Sequence, residues 1–294
     1  VVDHYEGGGV PEKCRLVEEL REHFTVTELC KEVGLSKSGF YTYLERKAVD
    51  KDKPSKEVIR ATYERYKGIY GYRQIQLFMY QVHQVWMNHK KILRLMQEMG
   101  LQAKIRRKFR HHRTWSLGDR VVRNVLDRNF KAHAPNQKWV TDVTQYRVKD
   151  SWLYLSTIKD LCQNEIVAYH MSLRIDKELV LQTFAKAFEQ EKDVAGLIVH
   201  SDQGFQYTSN DYHDMLPKVG AQISMSRQGN CYENASMESF FSHLKTEALY
   251  LYDIRSIEEA QSRIEEYIHF YNNHRPQRKL NKLSPAQYRK QLMG

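Results

Sequence analysis

No apolar run in the 294 residues approaches the roughly 20 that a membrane-spanning helix requires, so the chain reads as soluble with no membrane partner. Cysteine is scarce: Cys14, Cys30, Cys162 and Cys231 form no CxxC pair, and no secretory signal precedes them. That excludes a disulfide framework and argues against zinc, leaving reduced, buried thiols in a cytoplasm. No leucine-zipper heptad is present. What remains is ordinary globular composition, 41% hydrophobic and 28% charged. At roughly 150 residues per domain, the length suggests about two domains, each able to bury its own core.

Charge is unevenly placed. Residues 1–130 hold 26 Lys and Arg against 16 Asp and Glu, whereas residues 131–294 hold 20 of each. A basic front half joined to a balanced back half suggests a nucleic-acid-binding module that delivers a second activity to the same polymer.

The front half is helical in pattern. Pro11 opens a first helix with Leu16 and Leu20 on one face. In TVTELCKEVGLSKSGFYTYLERK, Thr25 and Glu28 have capping-box spacing, Val26, Leu29 and Val33 form an apolar stripe, and Gly34 breaks the helix. A second helix from about Lys37 makes a helix-turn-helix that presents Ser36, Lys37, Ser38 and Tyr41 to a groove. After a charged linker, residues 47–56, three more helices follow, the last running from an Asn88 N-cap to Gly100. Its Ile92, Met96 and Met99 read as core, and its Lys90, Lys91 and Arg94 are DNA-contact candidates. Lys104, Arg106, Arg107, Lys108, Arg110 and Arg113 then crowd ten residues, with Phe109 and Trp115 interleaved, as a phosphate-binding run requires.

From about Gln137 the period alternates. WVTDVTQYRV, SWLYLSTIKDL and EIVAYHMSL read as three antiparallel strands, followed by helices alternating with the strands GLIVHSD and AQISMSR and a last helix in ENASMESFFSHLKTEAL. That order describes a ribonuclease H-like mixed sheet with helices on both faces.

Three acids stand out in this half. Asp142 interrupts a strand, where aspartate is disfavoured. Asp202 follows Leu197, Ile198 and Val199, at the carboxyl end of a buried strand, where open α/β sheets gather ligands. Glu238 lies on a helix, with Asn234 one turn before it and Lys245 seven residues after it, and the spacing predicts one polar stripe. Three converging carboxylates repel unless cations neutralise them, and oxygen-only ligands suit Mg²⁺ or Mn²⁺. Two such ions about 4 Å apart would activate a hydroxyl and stabilise a leaving oxygen in phosphoryl displacement.

The embedding strings WVTDVT, HSDQGFQYTS and NCYENASMESFFSHLKTE, with 35 residues between Asp202 and Glu238, resemble those of DDE transposases of bacterial insertion sequences. The resemblance is to the second reading frame of insertion-sequence family three, whose catalytic core is shared with retroviral integrases. It extends from about residue 12 to the end, through SKSGFYTYLER, YGYRQI and the tail YNNHRPQRKLNKLSP. It implies that Asp142, Asp202 and Glu238 bind two Mg²⁺ ions, with Mn²⁺ able to substitute, and that Lys245 contacts terminal DNA. Asn234, Arg275, Arg278 and Lys279 join the DNA-contacting set. Gln203 and Gly204 match the family's loop after the second aspartate. Glu233 stands where the family has aspartate, and Gln277 where it has histidine. The chain begins with Val1 and an EGGG run, pointing to a trimmed chain or the interior of a frameshifted fusion.

The expected organisation is a helix-turn-helix-like module (1–50), a second helical DNA-binding module with a basic linker (51–115), a connector (116–136), a ribonuclease H-like core (137–255) and a basic helical tail (256–294). The expected partners are double-stranded DNA, both element ends and target, a second copy of the chain, and the upstream reading-frame product, in the bacterial cytoplasm at the nucleoid. The rival readings are a helix-turn-helix repressor with a degenerate nuclease-like domain and a structure-selective nuclease.

Overall fold

The computed structural model describes residues 9–48, 50–104, 120–226 and 234–294. Helices α1 (Val10–Leu20), α2 (Val26–Glu32) and α3 (Lys37–Ala48) close on a core of Cys14, Val17, Leu29, Cys30, Val33 and Phe40. Thr25 caps α2 as its spacing predicts: the hydroxyl accepts from the Glu28 N–H at 3.3 Å, and the Glu28 carboxylate reaches back to the Thr25 N–H. Gly34, at φ +64°, carries the turn into α3 in a left-handed conformation that only glycine adopts freely.

The charged stretch 47–56 is a shorter linker than expected. α3 runs through Ala48, and α4 (Lys53–Arg65) starts just before Pro54, a residue suited to a first helical turn. With α5 (Tyr72–His83) and α6 (His89–Glu98), α4 encloses Ile59, Ile75, Phe78, Met79, Ile92, Leu95 and Met96. The methionine stripe is core, and the Asn88 side chain caps α6 by accepting from the Lys90 N–H at 2.9 Å.

The alternating segments form β1 (Lys138–Val148), β2 (Ser151–Asp160) and β3 (Ile166–Ser172), an antiparallel meander. Then come α7 (Lys177–Gln190), β4 (Ile198–Ser201), α8 (Asn210–Lys218) and β5 (Gln222–Met225). The strand order is β3-β2-β1-β4-β5, with β4 parallel to β1 and β5 parallel to β4. One face packs Trp139, Ile158 and Val199 against α7 and α8 through Val180, Phe184, Tyr212 and Leu216. The other packs Val140, Leu153 and Leu155 against α9 (Ala235–Leu244) through Met237, Phe240, Phe241 and Leu244.

The segment after Ser256 is more than a tail. Ser256 caps α10 (Ile257–Asn273), but α10 buries Ala260, Ile264, Tyr267, Ile268 and Tyr271 in the same core as α9. Its Phe270 also lies 6.3 Å, centroid to centroid, from both Tyr66 and Phe78, seating the second helical module on the sheet domain. The chain closes with α11 (Pro285–Met293). Among the described residues, no helix is long and apolar enough to cross a membrane.

Candidate functional site

The register of β1 on β4 decides where the two aspartates meet. Lys138 pairs with Ile198, Trp139 with Val199 and Val140 with His200. Carried two residues further, the same offset sets Asp142 opposite Asp202, just beyond the carboxyl end of β4. Side chains alternate along a strand, so Asp142 shares the face of Val140, the face that α9 covers.

Asp142 is buried and Asp202 half-buried. Oδ1 of Asp142 accepts from the Val143 N–H at 2.8 Å, and Oδ1 of Asp202 accepts from the Gly204 N–H at 3.0 Å. A Cβ at Gly204 would lie 3.0 Å from that same oxygen and 2.8 Å from Oε1 of Gln206, so glycine keeps the loop tight against the acid. Beneath them Tyr207 is fully enclosed. Burial first, then the negative charges of Asp142 and Asp202, pushes its hydroxyl well above the ordinary phenol range.

Along α9 the residues of the expected stripe differ in burial. Asn234 and Lys245 are buried, whereas Glu238 is exposed. The helical ladder changes at Lys245, where a π-helical turn, Lys245–Leu249, begins. Lys245 still closes the α-helical ladder, its N–H donating to the Phe241 carbonyl, so the seven-residue spacing from Glu238 holds and what separates the two residues is burial. The buried ammonium is drawn down to about 8 by loss of solvent, and the Asp142 charge opposes that shift. Asp142 thus acts on both Lys245 and Tyr207, Asp202 acts on Tyr207, and Glu238 stands exposed in the first turn of α9. Among the described residues, no three His, Cys, Asp or Glu side chains are grouped to hold one ion.

Two side chains escaped the sequence reading. Lys159 faces Val140 across β1 and β2, is buried, and donates to the Ser236 carbonyl in the first turn of α9 at 3.4 Å. Thr157, directly across from Asp142, is buried with no hydrogen bond to Oγ1 among the described residues. Period-two alternation places both on the α9 face, so the signal was there in a lysine at an inward strand position.

The DNA-contact candidates divide. Lys37 and Ser38 are exposed at the start of α3, and Lys90, Lys104, Arg278 and Lys279 are exposed as well. Lys91 and Arg94 are engaged by Asp52, at 2.7 and 2.6 Å. Arg275 is a correction: it is buried, its guanidinium paired with Glu247 at 2.8 Å, and it offers no charge to a phosphate. Arg106, Arg107, Lys108, Arg110 and Arg113 lie outside the described residues, as do Cys231 and Glu233. Beside Gln203, Arg120, Arg123, Asn124 and His213 line an open cavity of about 1070 Å³.

Comparison with known proteins bears on these placements. The family described as "Integrase core domain" matches residues 132–231, a second model of that description matches 238–293, and "HTH-like domain" matches 50–109. The HTH-like match falls on α4–α6, not on the α2–α3 pair read as helix-turn-helix from sequence. InsK of insertion sequence element IS150 from Escherichia coli is 38% identical over 279 residues, 94% of this chain and 98% of that protein. The transposase for insertion sequence element IS904 from Lactococcus lactis is 39% identical, covering 80% of this chain and 92% of its own. The transposase InsF for insertion sequence IS3A from Escherichia coli is 31% identical, covering 92% and 96%.

Proposed function

The chain belongs to the insertion-sequence transposases that carry an integrase core domain, and from that premise we propose that it cuts the ends of its element and joins them to target DNA. The observation that carries the reading is the in-register pair Asp142 and Asp202 at the open edge of β1 and β4, with the Lys245 ammonium buried beside Asp142.

Oxygen-only donors suit a hard divalent ion, and Asp142 and Asp202 meet that requirement. Glu238, in the first turn of α9, would complete the set. Two Mg²⁺ ions, or Mn²⁺ in their place, would be held by these three acids, activating the attacking oxygen and neutralising the leaving one.

In the first step a water oxygen bonds to phosphorus at the element end, the bond from phosphorus to the 3′ oxygen breaks, and a 3′-hydroxyl and a 5′-phosphate result. In the second, that 3′-hydroxyl oxygen loses its proton and bonds to a target phosphorus, and the target's own 3′ oxygen leaves and takes up a proton to become a hydroxyl. Lys245 holds the end phosphate without binding metal. Lys37, Ser38, Lys90, Lys104, Arg278 and Lys279, with the run from Arg106 to Arg113, grip the duplex, and Asn234 contacts it beside the reacting phosphate. Two copies of the chain bring two ends together, and the upstream reading-frame product joins them.

A duplex carrying the element end, incubated with protein and Mn²⁺, tests the reading. It should be nicked at one nucleotide, leaving a 3′-hydroxyl, and binding without nicking would refute it. The exposure of Glu238 favours one rival, a DNA-binding repressor with a silent back half, and the same assay decides between the two.

A further inference from the structure

Two segments singled out in the sequence have no role in the chemistry above: YGYRQI and YNNHRPQ. The structure brings both to one buried carboxylate. Glu247 lies two residues after Lys245, inside the π-helical turn. Its Oε2 accepts from the Tyr70 hydroxyl at 2.8 Å, the Tyr267 hydroxyl at 2.9 Å and Nε of Arg275 at 3.0 Å, and its Oε1 accepts from Nη2 of Arg275 at 2.8 Å. Nδ1 of His243 stands 3.2 Å from Oε1. Tyr70, Tyr267, Glu247 and Arg275 are each 6% exposed, so this is an interior ion pair with its donors supplied.

The three main partners come from three places. Tyr70 belongs to the second helical module, Glu247 to the turn after α9, and Arg275 to the chain just past α10. A π-helical turn is uncommon and persists where its surroundings hold it. Here one side of the turn is held by Tyr70 and Arg275, and the other side carries Lys245 to Asp142.

We infer that Glu247, Tyr70 and Arg275 are positioning residues for Lys245, so that seating the 53–98 module on the sheet domain sets where the ammonium meets the end phosphate. The inference rests on the proposed role of Lys245 and goes beyond it: the second module is part of the active site as well as a grip on DNA. Burial works against the Glu247 charge, but Arg275, with His243, outweighs it and holds the carboxyl well below its ordinary range, which agrees with a fixed ion pair in this place.

Because Glu247→Ala risks the fold, the test uses Tyr70→Phe, which keeps the ring and removes one hydroxyl. Tyr70→Phe, Lys245→Ala and the double variant form a cycle, read on the end-cleavage rate and on affinity for the terminal duplex, the second measurable even where cleavage vanishes. A hydrogen bond to a charged group suggests a loss of about tenfold for Tyr70→Phe. The expected result is no further loss when Tyr70→Phe is added to Lys245→Ala, with kcat falling and KM steady. An equal loss in both backgrounds makes Tyr70 a general structural contact and overturns the inference. Wild-type cleavage and binding by Lys245→Ala would instead remove the role of Lys245, the reading beneath it.

Discussion

The two faces of the sheet handle buried charge in opposite ways. On the α7 face, Asp160 is fully buried yet answered by neutral donors: the Asn136 N–H and Cys162 N–H at 2.7 Å and the Trp139 indole at 3.1 Å. It ties the start of β1 to the turn after β2, and burial pushes its carboxyl above the ordinary carboxylate range. On the α9 face, Asp142 lies beside a second carboxylate and a buried ammonium, with Lys159 and the Glu247–Arg275 pair in the same layer. An aspartate inside a strand is therefore no marker by itself. The company it keeps separates an acid that holds a loop from a candidate for work on a ligand.

The sharpest way to break that contrast is to neutralise acids on the two faces. Asp142→Asn, Asp202→Asn or Glu238→Gln should each lower nicking by about a thousandfold or more, several kcal/mol of transition-state stabilisation, with DNA binding almost unchanged. Asp160→Asn should leave nicking near wild type and lower the unfolding temperature. Mapping nicks on one labelled duplex compares all four, and a wild-type rate in Glu238→Gln would remove it from the set.

Next in size is the ion pair. Breaking a buried pair costs about 3–5 kcal/mol, so Arg275→Met should destabilise by that order at neutral pH in urea unfolding. The pH dependence has a definite sign. Glu247 is held below its ordinary value of 4.5, so its contribution is present above that value and is lost as pH falls through the lower folded value. Asp160 is raised above its ordinary 3.8, so its contribution is complete below that value and fades as pH rises through the folded one. Glu247→Gln should flatten the acid limb of a stability profile, and an unchanged limb would show that the pair is not ionised.

Smaller effects sharpen the contrast between buried and exposed cations. Replacing Arg106, Arg107 and Lys108 by Ala should flatten the salt dependence of DNA affinity by about two to three units, at roughly 0.9 per phosphate contact. Arg278→Ala or Lys279→Ala should each remove about one unit at most. Arg275→Lys should remove none, because its charge faces Glu247. Titration of one duplex across salt concentrations reads all of these, and a full unit lost in Arg275→Lys would return that residue to the DNA surface.

Much of this was legible from local chemistry. The Thr25 capping box, the Asn88 cap, the three-stranded meander and the positions of Asp142 and Asp202 follow from neighbours a few residues apart, and each element formed where its pattern lies. What local pattern cannot supply is long-range packing. The π-helical turn that follows α9 is met at Glu247 by a tyrosine 177 residues away in the chain. Arg275 looks like any basic tail residue until Glu247 is known to lie beneath it. Lys159 was hidden for a different reason: a strand with good alternation was read for its apolar residues, and its inward lysine passed as surface.

The chain order of the α9 face bears on how the protein is made. Asp142 leaves the ribosome long before its partner Asp202, and Glu247 leaves before the arginine that neutralises it. Until Arg275 has emerged, the turn carrying Lys245 would bury a carboxylate without its counter-charge, an arrangement that resists closing. A nascent chain that has not yet made Arg275 thus holds both aspartates with the turn of Lys245 not yet closed, so this layer of the fold is completed late, across a gap of 28 residues.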